Sequence, residues 1–418
     1  MCDCGGQCKS CTCENTDSHL WTTEEYQQLR KETPIQSAIV NITDACNLRC
    51  PYCFTEQNKS VITLETLQQV VRFLFDEFQR TGGGYHPNIA FFGGEPMLHF
   101  DDLIVPFVRW CEDNAYVREG LTFNITSNGT LYNEQRLRFM YGHRIVPLLS
   151  IDGAKPTQDN QRPAAGGKSS FDLVEPNLPF ILRFFPDTTF RSTLEPWNAD
   201  KIIENYMFAR NTGFKHYFIT PNIFSKWSAE DAQTAFAQLA GVTMIFYEDL
   251  KANNVPCVPD FFVKDLKSVG ENPTPVLKKF VKRCGLGTVS MGVGCDGKIN
   301  GCQEHNTYHH DTIFDIGNIW TGIDPERHIA LLNAYAETDT IFCADDPDRC
   351  KSCKARAICT SNFCPSSNLN RNGKLAGNAL ITCMWREFFM EYCPTFLAMV
   401  EKENNYSAKS NLMELMRR

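Results

Sequence analysis

Three cysteines, Cys46, Cys50 and Cys53, stand close together with the spacing CxxxCxxC. A short loop with three thiolates supplies one ligand fewer than a four-cysteine iron–sulfur run. A [4Fe-4S] cluster bound here would therefore keep one iron open to a ligand from outside the protein. A zinc site, or three reduced thiols packed in the interior, are alternative interpretations of the bare spacing.

The segments that flank these cysteines place them in a loop between a strand and a helix. An apolar stretch at 38–42 precedes them, and the helical pattern that follows has one apolar face, formed by Leu64, Leu67, Val70, Val71, Leu74, Phe75 and Phe78. Further apolar stretches at 88–92, 121–125, 146–151, 188–193 and 216–219 alternate with helical patterns. The pattern predicts an α/β fold with a partial (β/α)6 TIM-like barrel, whose active site lies at the carboxyl ends of the strands.

Polar or glycine-rich segments follow the predicted strands. Gly93, Gly94 and Glu95 follow the second strand, and paired glycines let backbone approach a ligand while a carboxylate accepts hydrogen bonds from an amino group. A Thr-Ser-Asn-Gly segment at 126–129 follows the third strand, and a Ser-Ile-Asp-Gly segment at 150–153 follows the fourth. Taken alone, a Gly-Gly or Asn-Gly pair is also typical of a simple turn.

Together these motifs resemble the signature of the radical S-adenosylmethionine (SAM) enzymes, in which Tyr52 and Phe54 accompany the three cysteines and a GGEP segment follows about forty residues later. The resemblance implies that SAM chelates the open iron of a [4Fe-4S] radical SAM cluster. Reduction of that cluster would cleave SAM to a 5'-deoxyadenosyl radical, which takes a hydrogen atom from the substrate. In such enzymes the cofactors supply the chemistry and the protein supplies position.

The resemblance also implies which residues contact SAM. The GGEP segment would hold its amino group, and the Asn-Gly segment would lie near its ribose and carboxylate. The stretch from Ser150 through Asp159 and Arg162 to Phe171 is similar to one in the branch that modifies peptides and proteins. On the fifth strand, Ser192 and Thr193 are alternatives to Arg191. The predicted cofactor-binding residues are Tyr52, Gly93, Gly94, Glu95, Ser127, Asn128, Ser150, Asp152 and Arg191.

A second cysteine-rich region begins at Cys284 and ends at Cys393. Its spacing resembles the SPASM domain, a C-terminal extension that holds two auxiliary [4Fe-4S] clusters in many radical SAM maturases. The resemblance implies one cluster on Cys284, Cys302 and Cys364, with Cys295 as a candidate fourth ligand. The ligands that it implies for the other cluster are Cys350, Cys353, Cys359 and Cys383.

Two departures from the SPASM pattern leave the ligand sets open. Four residues separate Cys359 from Cys364 where the family has three, and Cys295 is not at the family's usual early position. A first auxiliary cluster with three protein ligands, open to substrate, is therefore an alternative. A zinc site is another interpretation of the run from Cys350 to Cys364. Four further cysteines are expected to be packing residues, with Cys343 kept open because of its position near the run: Cys111, Cys257, Cys343 and Cys393.

Length and composition suggest a cytoplasmic protein with more than one domain. The 418 residues are predicted to form a cysteine-rich N-terminal segment (1–35), a radical SAM core (36–230), a helical bridge (231–280) and an auxiliary-cluster domain (281–418). With a net charge of −8, the chain does not have the excess of basic residues that is typical of nucleic-acid-binding proteins. Neither a membrane-spanning run of apolar residues nor a signal peptide is evident. Twenty cysteines in a cytosolic chain favour metal ligation over disulfides.

The role of the N-terminal cysteines is left open among a tail without function, an accessory metal clip and a segment that contacts substrate or a cluster. These cysteines are Cys2, Cys4, Cys8, Cys11 and Cys13. Only 45 residues precede Cys46. Because this is too few for the leader-peptide-binding module of many relatives, leader recognition is expected to need a separate partner or another surface.

The resemblance implies a maturase that abstracts hydrogen from a ribosomally made peptide and forms a thioether or carbon–carbon crosslink. Its partners would be a peptide or protein substrate and a reductant such as flavodoxin or ferredoxin. Anaerobic sulfatase maturases carry an aspartate base where this chain has Gln303, and an amide cannot act as a base at neutral pH. Sulfatase-type chemistry would thus need Glu304 or His305 as a substitute. Peptide epimerisation, a small-molecule substrate and non-catalytic electron transfer also stay open as functions.

Overall fold

The computed structural model of the protein describes residues 20–270, 285–308, 311–336, 342–356, 364–402 and 406–417. Eleven strands lie in these ranges: β1 (Ser37–Thr43), β2 (Asn88–Gly93), β3 (Thr122–Ser127), β4 (Ile145–Ser150), β5 (Thr189–Leu194), β6 (His216–Pro221), β7 (Val258–Pro259), β8 (Ser290–Val293), β9 (Lys298–Asn300), β10 (Asp315–Asn318) and β11 (Gly322–Ile323).

The described helices are α1 (Thr23–Glu32), α2 (Leu64–Arg80), α3 (Val105–Asp113), α4 (Glu134–Gly142), α5 (Lys155–Gln161), α6 (Phe171–Val174), α7 (Leu178–Phe184), α8 (Ile202–Thr212), α9 (Ala229–Lys251), α10 (Asp260–Gly270), α11 (Pro325–Ala336), α12 (Pro365–Asn372), α13 (Leu380–Lys402) and α14 (Tyr406–Arg417). Short 3-10 turns cover Pro96–His99, Glu175–Asn177, Pro196–Lys201, Gln303–His305 and Pro347–Lys351, and a π turn covers Phe100–Ile104.

All of the strands belong to one mixed sheet, in the order β11-β10-β9-β8-β1-β2-β3-β4-β5-β6-β7. β1 to β7 pair in parallel in sequence order, and β8 pairs in parallel with β1. β9, β10 and β11 extend this edge in antiparallel pairing. The α/β prediction with six sequential parallel strands is confirmed. Within the described ranges, hydrogen bonding leaves the sheet open between β11 and β7.

The helices pack through apolar faces, as the spacing of their residues predicts. α2 begins after Thr63, whose side chain accepts a hydrogen bond from the Thr66 N–H, and it buries Leu67, Val70, Val71 and Leu74. These side chains join one hydrophobic cluster with alternate residues of β1 and β2. Because the apolar face of α2 is tied to the sheet, the loop between β1 and α2 is fixed at both ends.

Two features of the C-terminal half bear on the predicted domains, whose boundaries stay predictions. β8 continues the sheet of the first half, although it lies in the region assigned to a second domain. α13 packs its aromatic residues against α9 and α10: Phe388 stacks on Phe236 at 4.6 Å, and Phe396 meets Phe262 edge-on at 4.8 Å between ring centroids. No helix in the described part of the chain has the length and apolar character needed to cross a membrane.

Candidate active site at the carboxyl ends of the strands

Cys46, Cys50 and Cys53 lie in the loop that joins the carboxyl end of β1 to α2. Cys53 is exposed, whereas Cys46 and Cys50 are half-buried. Burial raises the pKa of the Cys46 thiol to about 11 and that of Cys50 to about 12. The Leu48 N–H donates to Cys46 Sγ at 3.4 Å, a contact that favours a thiolate. Three soft donors in one loop that reaches solvent are a suitable set for an iron–sulfur cluster.

A neighbouring segment holds this loop in place through backbone hydrogen bonds. The Arg49 N–H donates to the Pro163 carbonyl at 2.8 Å, and the Ala165 N–H donates to the Asn47 carbonyl at 2.9 Å. Leu48 and Ala164 form an antiparallel bridge between these bonds. The cysteine loop is thus paired with the chain that follows α5, and its backbone is set by more than its own sequence.

The two glycines after β2 lie against the backbone that leads into the cysteine loop. A Cβ at Gly93 would come within 2.2 Å of the Thr43 carbonyl oxygen, and a Cβ at Gly94 within 2.2 Å of the Ala45 carbonyl oxygen. Gly93 also has φ +123°, which L side chains rarely adopt. The Glu95 N–H donates to the Ala45 carbonyl at 2.9 Å. The glycine pair therefore brings Glu95 beside the cysteines.

The Glu95 carboxylate is buried and accepts three hydrogen bonds. Its Oε1 accepts from the Met97 N–H at 3.1 Å and from the Ser127 hydroxyl at 2.8 Å, and its Oε2 accepts from the Asn128 N–H at 2.9 Å. Burial nevertheless raises the pKa of Glu95 to about 7, because the three donors offset only part of the desolvation. A cationic or amino ligand would favour the ionised form.

The loop after β3 connects to the cysteine loop through side-chain amides. Asn128 Nδ2 donates to Asn47 Oδ1 at 2.9 Å, and Asn47 Nδ2 donates to the Thr130 hydroxyl at 2.8 Å. The same hydroxyl donates to Asn128 Oδ1 at 2.6 Å, which closes a three-residue ring of hydrogen bonds. The structure thus brings the predicted residues Ser127 and Asn128 together with Glu95 and the cysteine loop.

Asp152 lies after β4 and is fully buried. Its carboxylate accepts from Arg162 Nε at 2.9 Å and Nη2 at 3.1 Å, from Gln161 Nε2 at 3.0 Å and from the Thr193 N–H at 2.8 Å. The Tyr52 hydroxyl donates to the same carboxylate. A carboxylate with this many donors connects the cysteine loop to the ends of β4 and β5, and it acts here as a fixed anchor.

Arg162 is a site residue that the sequence placed in a motif but not among the predicted cofactor contacts. Its guanidinium lies 5.5 Å from the centroid of the Tyr52 ring, and its pairing with Asp152 holds its pKa above the ordinary value despite burial. Tyr52, for its part, has a pKa raised well above its ordinary value by burial. The Asp-x-x-Arg spacing at 159–162 was the only signal for this contact.

Two other predicted residues, Ser150 and Arg191, are register partners on β4 and β5. The Arg191 guanidinium lies 6.0 Å from the centroid of the Phe218 ring. Although the residue is exposed, desolvation by the surrounding protein together with the nearby Arg162 lowers its pKa. Arg191 is thus a cation at the same edge of the sheet as the cysteines, and anions are the ligands it would favour. The roles predicted for Ser150, Asp152 and Arg191 toward SAM stay predictions.

Cys295 contacts the cysteine loop of the first half of the chain. Its Sγ lies 3.5 Å from the Asn41 carbonyl oxygen and 3.7 Å from Asp44 Oδ1. In the antiparallel register of β8 and β9, Val293 faces Ile299, so Cys295 and Cys302 lie toward opposite ends of this hairpin. The role of Cys295 as a fourth auxiliary ligand stays a prediction that these contacts do not support.

Asn306 and Thr307 connect the segment after Cys302 to the first half of the chain. Asn306 Nδ2 donates to the Ile39 carbonyl at 3.1 Å and to Asn41 Oδ1 at 3.2 Å. The Glu56 N–H donates to the Thr307 hydroxyl at 3.3 Å. Two cysteine-bearing loops are thereby held against each other, a relation that no motif in the sequence indicates.

Cys302 and Cys364, two of the three ligands predicted for the first auxiliary cluster, are close enough to interact electrostatically. Ser366 and Ser367, in the first turn of α12, donate to the Glu304 carboxylate at 2.7 and 3.0 Å. His305 is buried and stacks on Phe314 at 4.1 Å between ring centroids. Both candidate bases thus have structural contacts, and those of Glu304 connect the segment after Cys302 to the start of α12, next to Cys364.

Cys350 and Cys383, predicted for the second auxiliary cluster, both contact Cys343. Cys284, Cys359 and the five N-terminal cysteines lie outside the described residues, so neither auxiliary set is described completely. Within the described ranges, no three His, Cys, Asp or Glu side chains are already arranged around a point where a metal ion would sit.

Comparison with known proteins finds similarity that is concentrated in the first half of the chain. Residues 40–220 match the model of the radical SAM superfamily. The cysteine-type anaerobic sulfatase-maturating enzyme of Clostridium novyi is 26% identical over 184 residues, which are 42% of this chain and 48% of that enzyme. Fe-coproporphyrin III synthase of Methanosarcina barkeri is 25% identical over 351 residues, 77% of this chain and 82% of that enzyme. The first of these alignments spans about half of the relative's length.

Solved structures show that the fold extends over most of the chain. The protein anSMEcpe, solved with bound AdoMet, has a TM-score of 0.68 at 19% identity, and the match covers 91% of this chain and 98% of that chain. Streptococcus suis SuiB, solved with its precursor peptide SuiA, has a TM-score of 0.57 at 14% identity and covers 86% of this chain and 78% of its own. At such identities the similarity establishes the fold alone.

Proposed function

We propose that this chain is a radical SAM maturase that modifies a peptide or protein substrate. The observation that carries the proposal is the proximity of the Glu95 carboxylate to the cysteine loop at the carboxyl edge of the parallel sheet. The Arg162 guanidinium interacts electrostatically with Cys50 and with Arg191, which connects Arg191 to the same site. SAM and a reduced [4Fe-4S] cluster, when bound there, would supply a 5'-deoxyadenosyl radical.

The residues of this chain would hold and orient the cofactors. Cys46, Cys50 and Cys53 would ligate the cluster, and Glu95 would accept hydrogen bonds from the SAM amino group. Arg191 would pair with the SAM carboxylate, since it is a cation without an ion pair among the described residues. Asp152 and Arg162 would hold Tyr52, and with it the cluster loop, in position.

The pH dependence of SAM binding tests the role of Glu95. Only the ionised carboxylate is an acceptor on both oxygens, so SAM affinity should fall as the pH is lowered through about 7. The Glu95→Gln change should weaken SAM binding by roughly tenfold to a hundredfold, the range expected for a lost charged hydrogen bond, and should flatten this pH dependence. Calorimetric titration of SAM into the reconstituted protein between about pH 6 and 8 measures both effects.

Glu134, whose side chain is partly exposed, offers a matched control for this experiment. It pairs with Arg138 on the surface of α4, so Glu134→Gln should retain both the affinity and the pH profile of the unmodified protein. Equal SAM affinity at all pH values in the unmodified protein, or an unchanged affinity in Glu95→Gln, would contradict the role given to Glu95.

A thioether or carbon–carbon crosslink is the product we infer, and sulfatase-type oxidation to formylglycine is the second candidate. The sulfatase-maturating relatives favour the second. Against it, Gln303 lacks a basic group, Glu304 accepts hydrogen bonds from Ser366 and Ser367, and His305 is buried behind Phe314. These features favour a crosslink over formylglycine formation.

Product analysis separates the two candidates. The reconstituted protein would be incubated with SAM, dithionite and either a sulfatase-motif peptide or a library of cysteine-containing peptides, and the products would be sequenced by mass spectrometry. The proposal predicts a peptide that has lost two hydrogens, keeps its sulfur and contains no aldehyde. An aldehyde at cysteine or serine would establish sulfatase-type chemistry, and SAM cleavage that no peptide stimulates would point to a small-molecule substrate.

A further inference from the structure

Cys343 lies in a short segment whose backbone position is fixed by its neighbours. It forms a parallel bridge with Asn378, and the Ala344 N–H donates to the Asn378 carbonyl at 2.9 Å. The Asn378 N–H donates in turn to the Phe342 carbonyl at 3.2 Å. The Cys343 side chain is fully buried. The backbone at Cys343 is therefore fixed by its hydrogen bonds to the segment around Asn378.

Two other cysteines, from separate elements, contact Cys343. Its N–H donates to the Sγ atom of Cys350, in the 3-10 turn Pro347–Lys351, at 3.1 Å. Its thiol is hydrogen-bonded to the thiol of Cys383, in the first turn of α13. Three cysteine-bearing segments thus meet at Cys343, through its backbone N–H toward Cys350 and through its thiol toward Cys383. Neither of these contacts follows from the spacing of the cysteines in the sequence.

The charge around these thiols also suits anionic sulfur. The Arg349 guanidinium interacts electrostatically with both Cys343 and Cys383, while it pairs with Glu387 on α13. Thiolates that ligate a metal carry negative charge, and a nearby cation stabilises them. The surroundings of the buried Cys393, on the same helix, differ: its charged neighbour is the Asp265 carboxylate.

We propose that Cys343 is itself a ligand of the second auxiliary cluster, acting together with Cys350 and Cys383. The proposal rests on the proposed function, because it requires that an auxiliary cluster forms there. It changes the ligand set implied by the family resemblance, in which Cys343 has no role. On binding, the Cys343 thiol would lose its proton to solvent and its sulfur would bond to iron.

Metal analysis of single-cysteine variants tests this assignment. Cys343→Ala and the matched control Cys393→Ala would be reconstituted without oxygen beside the unmodified protein. Iron, zinc and sulfide per chain would be measured together with Mössbauer and EPR spectra. With three clusters of four irons, the unmodified protein and Cys393→Ala should each hold about twelve iron. Cys343→Ala should hold about eight to eleven and show an altered auxiliary-cluster signal.

The outcomes distinguish this inference from the proposed function. About twelve iron and unaltered spectra in Cys343→Ala would overturn the ligand role and leave the maturase proposal intact. About four iron in the unmodified protein would overturn both the auxiliary clusters and this role. Zinc that is lost only in Cys343→Ala would support the ligand role while contradicting an iron–sulfur cluster. Circular dichroism, together with the Cys343→Ser variant, separates loss of a ligand from loss of the fold. A variant that is folded but binds less metal supports the proposal.

Discussion

The Cys50→Ala change is expected to remove about four iron per chain and to reduce 5'-deoxyadenosine release from SAM to background. A cluster with three protein ligands has no spare thiolate in its loop, so loss of one leaves two ligands for four irons. Among the three loop cysteines, Cys50 is chosen for substitution because it interacts electrostatically with Arg162 and Asp152, the ion pair that anchors the loop. Iron analysis and chromatographic measurement of 5'-deoxyadenosine read the two effects independently.

The matched control is Cys111→Ala, which removes a buried thiol of α3 that belongs to the hydrophobic core and not to a loop at the strand ends. This variant should keep its iron and its SAM cleavage, with at most a loss of stability from the cavity created. Iron that stays at the unmodified level in Cys50→Ala, in a folded protein, would contradict the placement of the radical SAM cluster on this loop.

The Asp152→Ala change should lower the free energy of unfolding by about 3–5 kcal/mol. Removal of this carboxylate leaves the Arg162 guanidinium buried without its counter-charge and also frees the Tyr52 hydroxyl and the Thr193 N–H. The cysteine loop would lose its connection to β4 and β5, so iron retention should fall as well. Urea unfolding of the apoprotein measures the first effect, and iron per chain measures the second.

A surface ion pair provides the comparison for this prediction. Asp187 pairs with Lys215 and is largely exposed, so Asp187→Ala should change the free energy of unfolding by less than about 1 kcal/mol. Asp152→Asn retains acceptor capacity on one oxygen, so its loss of free energy of unfolding should lie between those of Asp152→Ala and Asp187→Ala. If Asp152→Ala were no more destabilising than Asp187→Ala, the anchoring role assigned to this carboxylate would be wrong.

The sequence predicts those parts of the structure that depend on local pattern. The apolar stretch before Cys46 predicts a strand, and the apolar face that follows the cysteines predicts a helix. Both are present, as β1 and α2, and neither prediction needs knowledge of the packing partner. The GGEP segment is predictable for a related reason: Gly93 and Gly94 occupy positions that only glycine fits. Motif spacing thus identified the cysteine loop and Glu95, which the structure brings together.

Contacts between distant segments could not be predicted in this way. Asn306 bonds to Asn41, and Cys295 lies beside Asp44, more than 200 residues earlier in each case. Polar side chains of this kind have no periodicity that separates them from exposed ones, since only the tertiary fold decides their partners. Glu304 illustrates the same limit, because its serine partners on α12 turn a candidate base into a structural carboxylate.

Cleavage of SAM by a cluster on the loop between β1 and α2 underlies every function proposed for this chain as an enzyme. The decisive experiment is dithionite-driven release of 5'-deoxyadenosine by the anaerobically reconstituted protein, with iron per chain determined on the same sample. We expect release of 5'-deoxyadenosine from a protein that holds about twelve iron. A protein that holds its iron and leaves SAM intact would contradict catalysis at this loop and favour an electron-transfer role.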